Sequence, residues 1–255
     1  MNSIVNTLTN IKPTINSFIA FGKIITTGFI VAVMYMYEAF TIISFIYLAM
    51  YSSYAICWLL KTIIFPNKNF NKIMNLQDLV LAVPILFGVY WLIPFLAITN
   101  VEPSSMEIIF ISLVLFIVGL VIMMVSDAQT YFMLATRPNE LITTGMNQYV
   151  RHPNYLGELM LYLSFAILSR RILSFLLLAM VFGFIFIPLN LAKEESLSRY
   201  IEFENWKSST GMYLPNVYSF IEVRGLKEMK EKNKNIREGD KTKTVEVIDH
   251  KNKED

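Results

Sequence analysis

The chain has 255 residues, of which 55% are hydrophobic and 16% charged, with a formal net charge of +2. A soluble domain of this size carries about 25% charged residues, so a water-soluble globule is excluded. The lack of a concentrated basic patch with interleaved aromatics argues against a nucleic-acid-binding surface.

The charges are unevenly placed: no lysine or arginine falls between Lys72 and Arg137, a gap that holds two bilayer crossings of roughly 20 residues each. The pattern predicts an all-α, polytopic membrane bundle of about six transmembrane or partly spanning helices. In chain order, the apolar runs 16–36, 41–65, 78–99 and 106–125 each read as a crossing. Glu38 marks the first boundary, Pro66-Asn67-Lys68-Asn69 the second, and Asn100–Ser105 the third. Asp127 and Gln129 mark the end of the fourth. Two shorter runs, 155–169 and 172–191, are joined by Arg170-Arg171.

With six spans, Lys12, Lys23, Lys68, Lys72, Arg137, Arg151 and the basic tail fall on one side, while Glu38, Glu102 and Glu107 fall on the other. The positive-inside bias then places both termini in the cytosol. Arg170-Arg171 dissents, which fits a hairpin that stops short of a full crossing. After Leu191 an amphipathic stretch, Lys193 to Trp206, predicts an interfacial helix. The chain thus divides into N-terminal transmembrane helices (1–125), a region with the polar motifs (126–222) and a charged tail (223–255) expected to be disordered. Lys251-Asn252-Lys253 resembles a cytosolic dilysine retrieval signal, which points to the endoplasmic reticulum. The single cysteine, Cys57, reads as a small packing residue. No spacing of Cys and His suggests a metal site.

The chemistry gathers at Arg151-His152-Pro153-Asn154-Tyr155-Leu156-Gly157-Glu158. Pro153 suits the first turn of a helix, whose free amides and positive dipole end, with Arg151 and His152, would attract an anionic group. Tyr155, Glu158 and Tyr162 are three and four residues apart and share a face, where a phenol and a carboxylate can exchange a proton. Gly157 admits a ligand or another helix at close range. The alternative is plain: Arg151, His152 and Tyr155 anchor the helix among headgroups. A carboxylate inside an apolar run, Glu158, argues for function. Downstream, Glu195 and Arg199 are spaced for a helical ion pair, leaving Glu194 free. Equally, one of the two glutamates contacts a cofactor's ribose or ammonium group.

These residues resemble the superfamily of steroid 5-alpha reductases, sterol C14 reductases, isoprenylcysteine carboxyl methyltransferases and phospholipid methyltransferases. The Arg151–Glu158 segment is similar to its shared signature, in the form closest to the reductase-like branch. Thr144-Gly145 and the ending Phe203-x-x-Trp206-x-x-x-Thr210-x-x-x-x-Pro215 match that branch as well. The resemblance implies a cytosolic-side cofactor site from Arg151, His152, Asn154, Tyr155, Glu194, Glu195 and Arg199. It implies Tyr155 and Glu158 as catalytic groups, and a lipid or sterol-like substrate entering between helices. One departure is clear: Asp127-Ala128-Gln129 is followed by Thr130-Tyr131-Phe132-Met133, where sterol reductases carry cations for the 2′-phosphate of NADPH. NADPH or NADH is the expected cofactor of a reductase and S-adenosylmethionine that of a methyltransferase, the missing cations favouring NADH or S-adenosylmethionine over NADPH. A non-catalytic lipid-binding protein is the third reading.

Overall fold

In the computed structural model, residues 14–216 are described. Helix α1 (Ile15–Met36) opens on a Thr14 cap whose side chain accepts from Ser17 N, with Ser17 returning the bond. This reciprocal box satisfies two orphan amides of the first turn. The chain reverses at Glu38, whose φ is +50°, and α2 (Ile42–Ile64) starts from a Thr41 cap. A 3-10 turn (Lys68–Asn71) follows, then α3 (Leu76–Ile98), α4 (Met106–Thr136), α5 (Pro153–Ser169), α6 (Ile172–Leu197) and the short α7 (Phe203–Ser209).

Among the described residues, five helices, α1, α2, α3, α4 and α6, are long and apolar enough to cross a membrane. The protein is an integral membrane helical bundle, as its composition predicts. Both α3 and α6 carry a π-helical stretch, Ile85–Leu92 and Phe182–Phe186, next to Pro94 and Pro188. Proline lacks an amide hydrogen and crowds the carbonyl four residues back. Widening the helix there re-pairs the backbone, as it must where no water can.

Helix α4 presents Ser112, Phe116, Gly119, Met123 and Ser126 as a buried stripe of alternating four- and three-residue steps. Against it α5 packs so closely that a Cβ on Gly157 would lie 2.6 Å from Gly119 O, and one on Gly119 2.7 Å from Gly157 O. What approaches Gly157 is thus another helix, by the small-residue contact that membrane helices use.

Several expectations need correction. Helix α4 continues past residue 125 to Thr136, because Asp127 and Gln129 find protein partners and need not leave the helix. At the far end of α5, Arg170 (φ +53°) donates to the carbonyls of Glu102 and Pro103 and lies 3.7 Å from the Glu102 carboxylate. So α5 reaches the α3–α4 connection, and the dissenting arginine is there because Glu102 and two carbonyls hold it. The expected interfacial helix, Lys193 to Trp206, does not form as one piece. Lys193 to Leu197 complete α6, the helix stops at a Ser198 cap, and α7 begins at Phe203. Lys23 is no loop charge: it is fully buried within the bundle. Lys12, the 223–255 tail with its Lys251 and Lys253, and both termini lie outside the described residues.

Candidate functional site

The signature stands at the start of α5, and its backbone is tied to the segment after α7. Arg151 N donates to Gly211 O at 2.8 Å and His152 N to Met212 O at 3.1 Å, beside an isolated parallel bridge of Val150 with Gly211. The aromatic-x-x-aromatic-x-x-x-Thr ending explains itself here. Phe203, Trp206 and Thr210 are buried, Trp206 Nε1 donates to Asn147 O at 2.7 Å, and Thr210 O accepts from Arg151 Nη1.

Glu194, not Glu195, is the glutamate that matters structurally. Its Oε1 accepts from Arg151 Nε at 2.6 Å and lies 3.2 Å from His152 Nε2. The anticipated Glu195–Arg199 pair is absent among the described residues, because α6 ends before Arg199. That guanidinium donates to Ser196 and to the Tyr200 hydroxyl, and Glu195 is exposed.

Burial lowers the pKa of His152 to about 4, helped by the positive charges of Lys193 and Arg151 and opposed by Glu194. The neutral ring therefore carries its proton on Nε2, facing Glu194, and leaves Nδ1 as an acceptor. That Nδ1 is buried with no partner among the described residues. Tyr213, whose ring centroid is 6.2 Å from that of His152, accepts from Asn190 Nδ2 at 2.7 Å. Burial raises the pKa of its phenol.

Arg151 is more tightly held than the sequence suggests. Glu194 matches its charge, and Lys207 O accepts a further bond at 3.1 Å. Its Nη2 donates no hydrogen bond among the described residues, although it belongs to the guanidinium that Glu194 pairs. Asn154, in the first turn of α5, and the Tyr155 hydroxyl and Glu158 carboxylate, one turn further on, likewise have no hydrogen-bond partner among them. Tyr155 stacks edge-on against His152 and Phe186, and Phe186 also faces Tyr162. Tyr155, Glu158 and Tyr162 do share a face, although Tyr155 and Glu158 are not hydrogen-bonded to each other.

Sequence reasoning missed the roles of five residues here. Lys193 Nζ stands 6.0 Å from the Tyr155 ring centroid, contributing a cation near the signature. Gln129 accepts from Met146 N at 3.0 Å and donates to Thr144 O at 2.8 Å, clamping the loop before α5. Asp127 is ion-paired with Lys61 of α2. The charges acting on Glu158 are those of Lys61, Lys23 and Asp127. Lysines inside the apolar runs 16–36 and 41–65 were the available signal, since such residues are costly in a bilayer and face the bundle interior.

Residues 59–211 match the family described as protein of unknown function (DUF1295). That stretch holds the α5 signature, Glu194 and the α7 clasp. No curated protein matches the chain. The chain belongs to the DUF1295 family.

Proposed function

Proceeding from that membership, we propose that this protein is a membrane-embedded reductase of lipids, of the steroid 5-alpha reductase-like type. The activity would add hydride to one carbon of an activated double bond and a proton to its neighbour. The observation that carries this reading is the placement of two unpartnered proton-active groups, the Tyr155 phenol and the Glu158 carboxylate, on one face of α5 beneath the Arg151–His152–Glu194 cluster. General acid catalysis needs such a group within hydrogen-bond reach of the reacting atom.

The residues fit a nicotinamide cofactor in kind. His152 Nδ1 is a buried acceptor suited to a ribose hydroxyl or a carboxamide, and Lys193, whose Nζ stands 6.0 Å from the Tyr155 ring centroid, adds a cation beside the Glu194-paired Arg151. Asn154 adds an amide at the helix mouth. NADPH or NADH would supply the hydride when bound. The chain's own residues orient it, exclude water and hold the proton at Tyr155, with Glu158 assisting. Glu195 and Arg199 face outward and are placed for contacts at the rim. This reading puts the cofactor mouth and both termini in the cytosol, and the protein in the endoplasmic reticulum.

One observation favours a second reading. Glu194 already neutralises Arg151, which weakens attraction for a pyrophosphate and suits a less anionic cofactor. S-adenosylmethionine, with methyl transfer to an isoprenylcysteine carboxylate or a phospholipid amine, is that alternative.

Thermal shifts of the detergent-purified full chain with NADPH, NADH and S-adenosylhomocysteine decide between them. The reductase reading expects stabilisation by a nicotinamide and none by S-adenosylhomocysteine. Stabilisation by the latter alone selects the methyltransferase, and stabilisation by none selects a lipid-binding protein without a cofactor.

A further inference from the structure

Deeper in the bundle lies a polar cluster that the cofactor site does not use. Lys23 of α1 is fully buried. Its Nζ donates to the Tyr90 hydroxyl at 2.8 Å and lies 3.5 Å from the Tyr54 ring centroid, 4.5 Å from that of Trp58 and 4.7 Å from that of Tyr90. Tyr162 links the phenols, 2.9 Å from the Tyr54 hydroxyl and 3.2 Å from that of Tyr90. Four helices, α1, α2, α3 and α5, thus meet around one ammonium.

The cluster holds more donors than acceptors. An ammonium has three N–H groups, and Lys23 uses one on Tyr90. The three phenols make two mutual bonds, so one O–H is left over. Trp58 Nε1 is buried without a partner among the described residues. No carboxylate lies within 4 Å of Lys23 among the described residues either; Lys61 takes Asp127, and Glu158 acts on Lys23 only at longer range. Aromatic faces offset part of the charge but accept hydrogen bonds weakly. Buried donors are normally satisfied, and a desolvated cation calls for an anion.

We infer that the Lys23 cluster binds the carboxyl end of a lipid acid, with the acyl chain lying among the helices. A carbonyl oxygen offers two lone pairs, whereas a carboxylate offers about four acceptor sites, which matches two N–H groups of Lys23, one phenol and the Trp58 indole. Charge closes as well. The acid arrives from the bilayer neutral, its O–H bond breaks, and the proton forms an O–H bond on the Glu158 carboxylate. The lipid stays as carboxylate on Lys23, and the net charge of the cluster is unchanged. This names the lipid class for the proposed reductase and rests on that reading only in calling the lipid a substrate.

The test uses the full chain in nanodiscs without cofactor, with radiolabelled oleic acid and oleyl alcohol as probes. The acid should bind at least about tenfold more tightly than the alcohol, the increment of one charge-assisted contact set. Lys23→Met should abolish the preference. Trp58→Phe, which keeps an aromatic ring against Phe70, should weaken the acid about threefold and leave the alcohol unchanged, and it reports even where Lys23→Met does not fold. The infrared carboxyl band of 13C-labelled oleic acid should show the ionised form in the wild type. Equal binding of acid and alcohol, a preference that survives Lys23→Met, or a protonated bound acid would overturn the assignment. Because no nicotinamide is present, such a failure leaves hydride transfer untouched, while failure of the nicotinamide thermal shift leaves this binding untouched.

Discussion

Glu194 shows how much one carboxylate can organise. It holds Arg151 and His152 together, and Arg151 in turn holds the carbonyls of Lys207 and Thr210. Glu194→Ala would leave a part-buried guanidinium without its counter-ion, and breaking such a pair costs about 3 kcal/mol or more. Denaturant unfolding in mixed micelles measures this; Glu194→Ala within 1 kcal/mol of wild type (roughly the size of an exposed pair) would refute the buried-pair role. The pH dependence follows from His152. Its folded pKa, about 4, is below its ordinary 6.5, so the unfolded chain binds the proton first as pH falls. Its stabilising contribution is complete above pH 6.5 and is lost between 6.5 and about 4. Melting temperature should fall across that window, and His152→Gln should flatten the fall.

Among the elements, the α4–α5 pair and the loop between them set the site's position. The Gly119–Gly157 contact leaves no room for a side chain. Overpacking of this kind costs about 1–3 kcal/mol, so Gly157→Val should lower the unfolding midpoint even though it adds an apolar group. A matching loss of nicotinamide stabilisation would show that α5 has tilted away. Gly145 sits at φ +60° with the Gln129 side chain where a Cβ would be. Gly145→Ala should therefore loosen the loop, and native-state proteolysis between Arg137 and Arg151 should quicken. Adding Gln129→Ala should relieve the clash but not the backbone strain, so the double variant should remain more cleavable than wild type.

For the whole molecule, the bundle joins two layers of polar chemistry, the Arg151–Glu194 cluster at one end and the Lys23–tyrosine cluster inside, with Glu158 in the field of Lys61, Lys23 and Asp127. The α3–α4 connection and the end of α5 lie together through Arg170, Glu102 and Pro103, at the opposite end of α5 from the signature. In a Cys57→Ser background, a cysteine replacing Glu102 and one replacing Glu204 should react with an impermeant maleimide from opposite faces of sealed vesicles, Glu204 from the cytosolic face. Labelling of both from one face would show that α5 does not carry the chain across.

The sequence by itself determined the membrane class, four of the five long helices, the α5 signature and its kinship with the aromatic ending. Hydropathy, proline at a helix start and fixed motif spacing are local properties, so they survive without coordinates. It also put Tyr155, Glu158 and Tyr162 on one face, because helical spacing needs only counting. Tertiary structure alone decided which charges pair. Glu194 rather than Glu195 faces Arg151, and Lys61 finds Asp127 across two helices. Lys23, read as a loop charge, turns out to be the centre of an aromatic box. A helix's rotation and depth are set by its neighbours' packing, not by its own residues, so the partners of a buried ion cannot be read until those neighbours are in place.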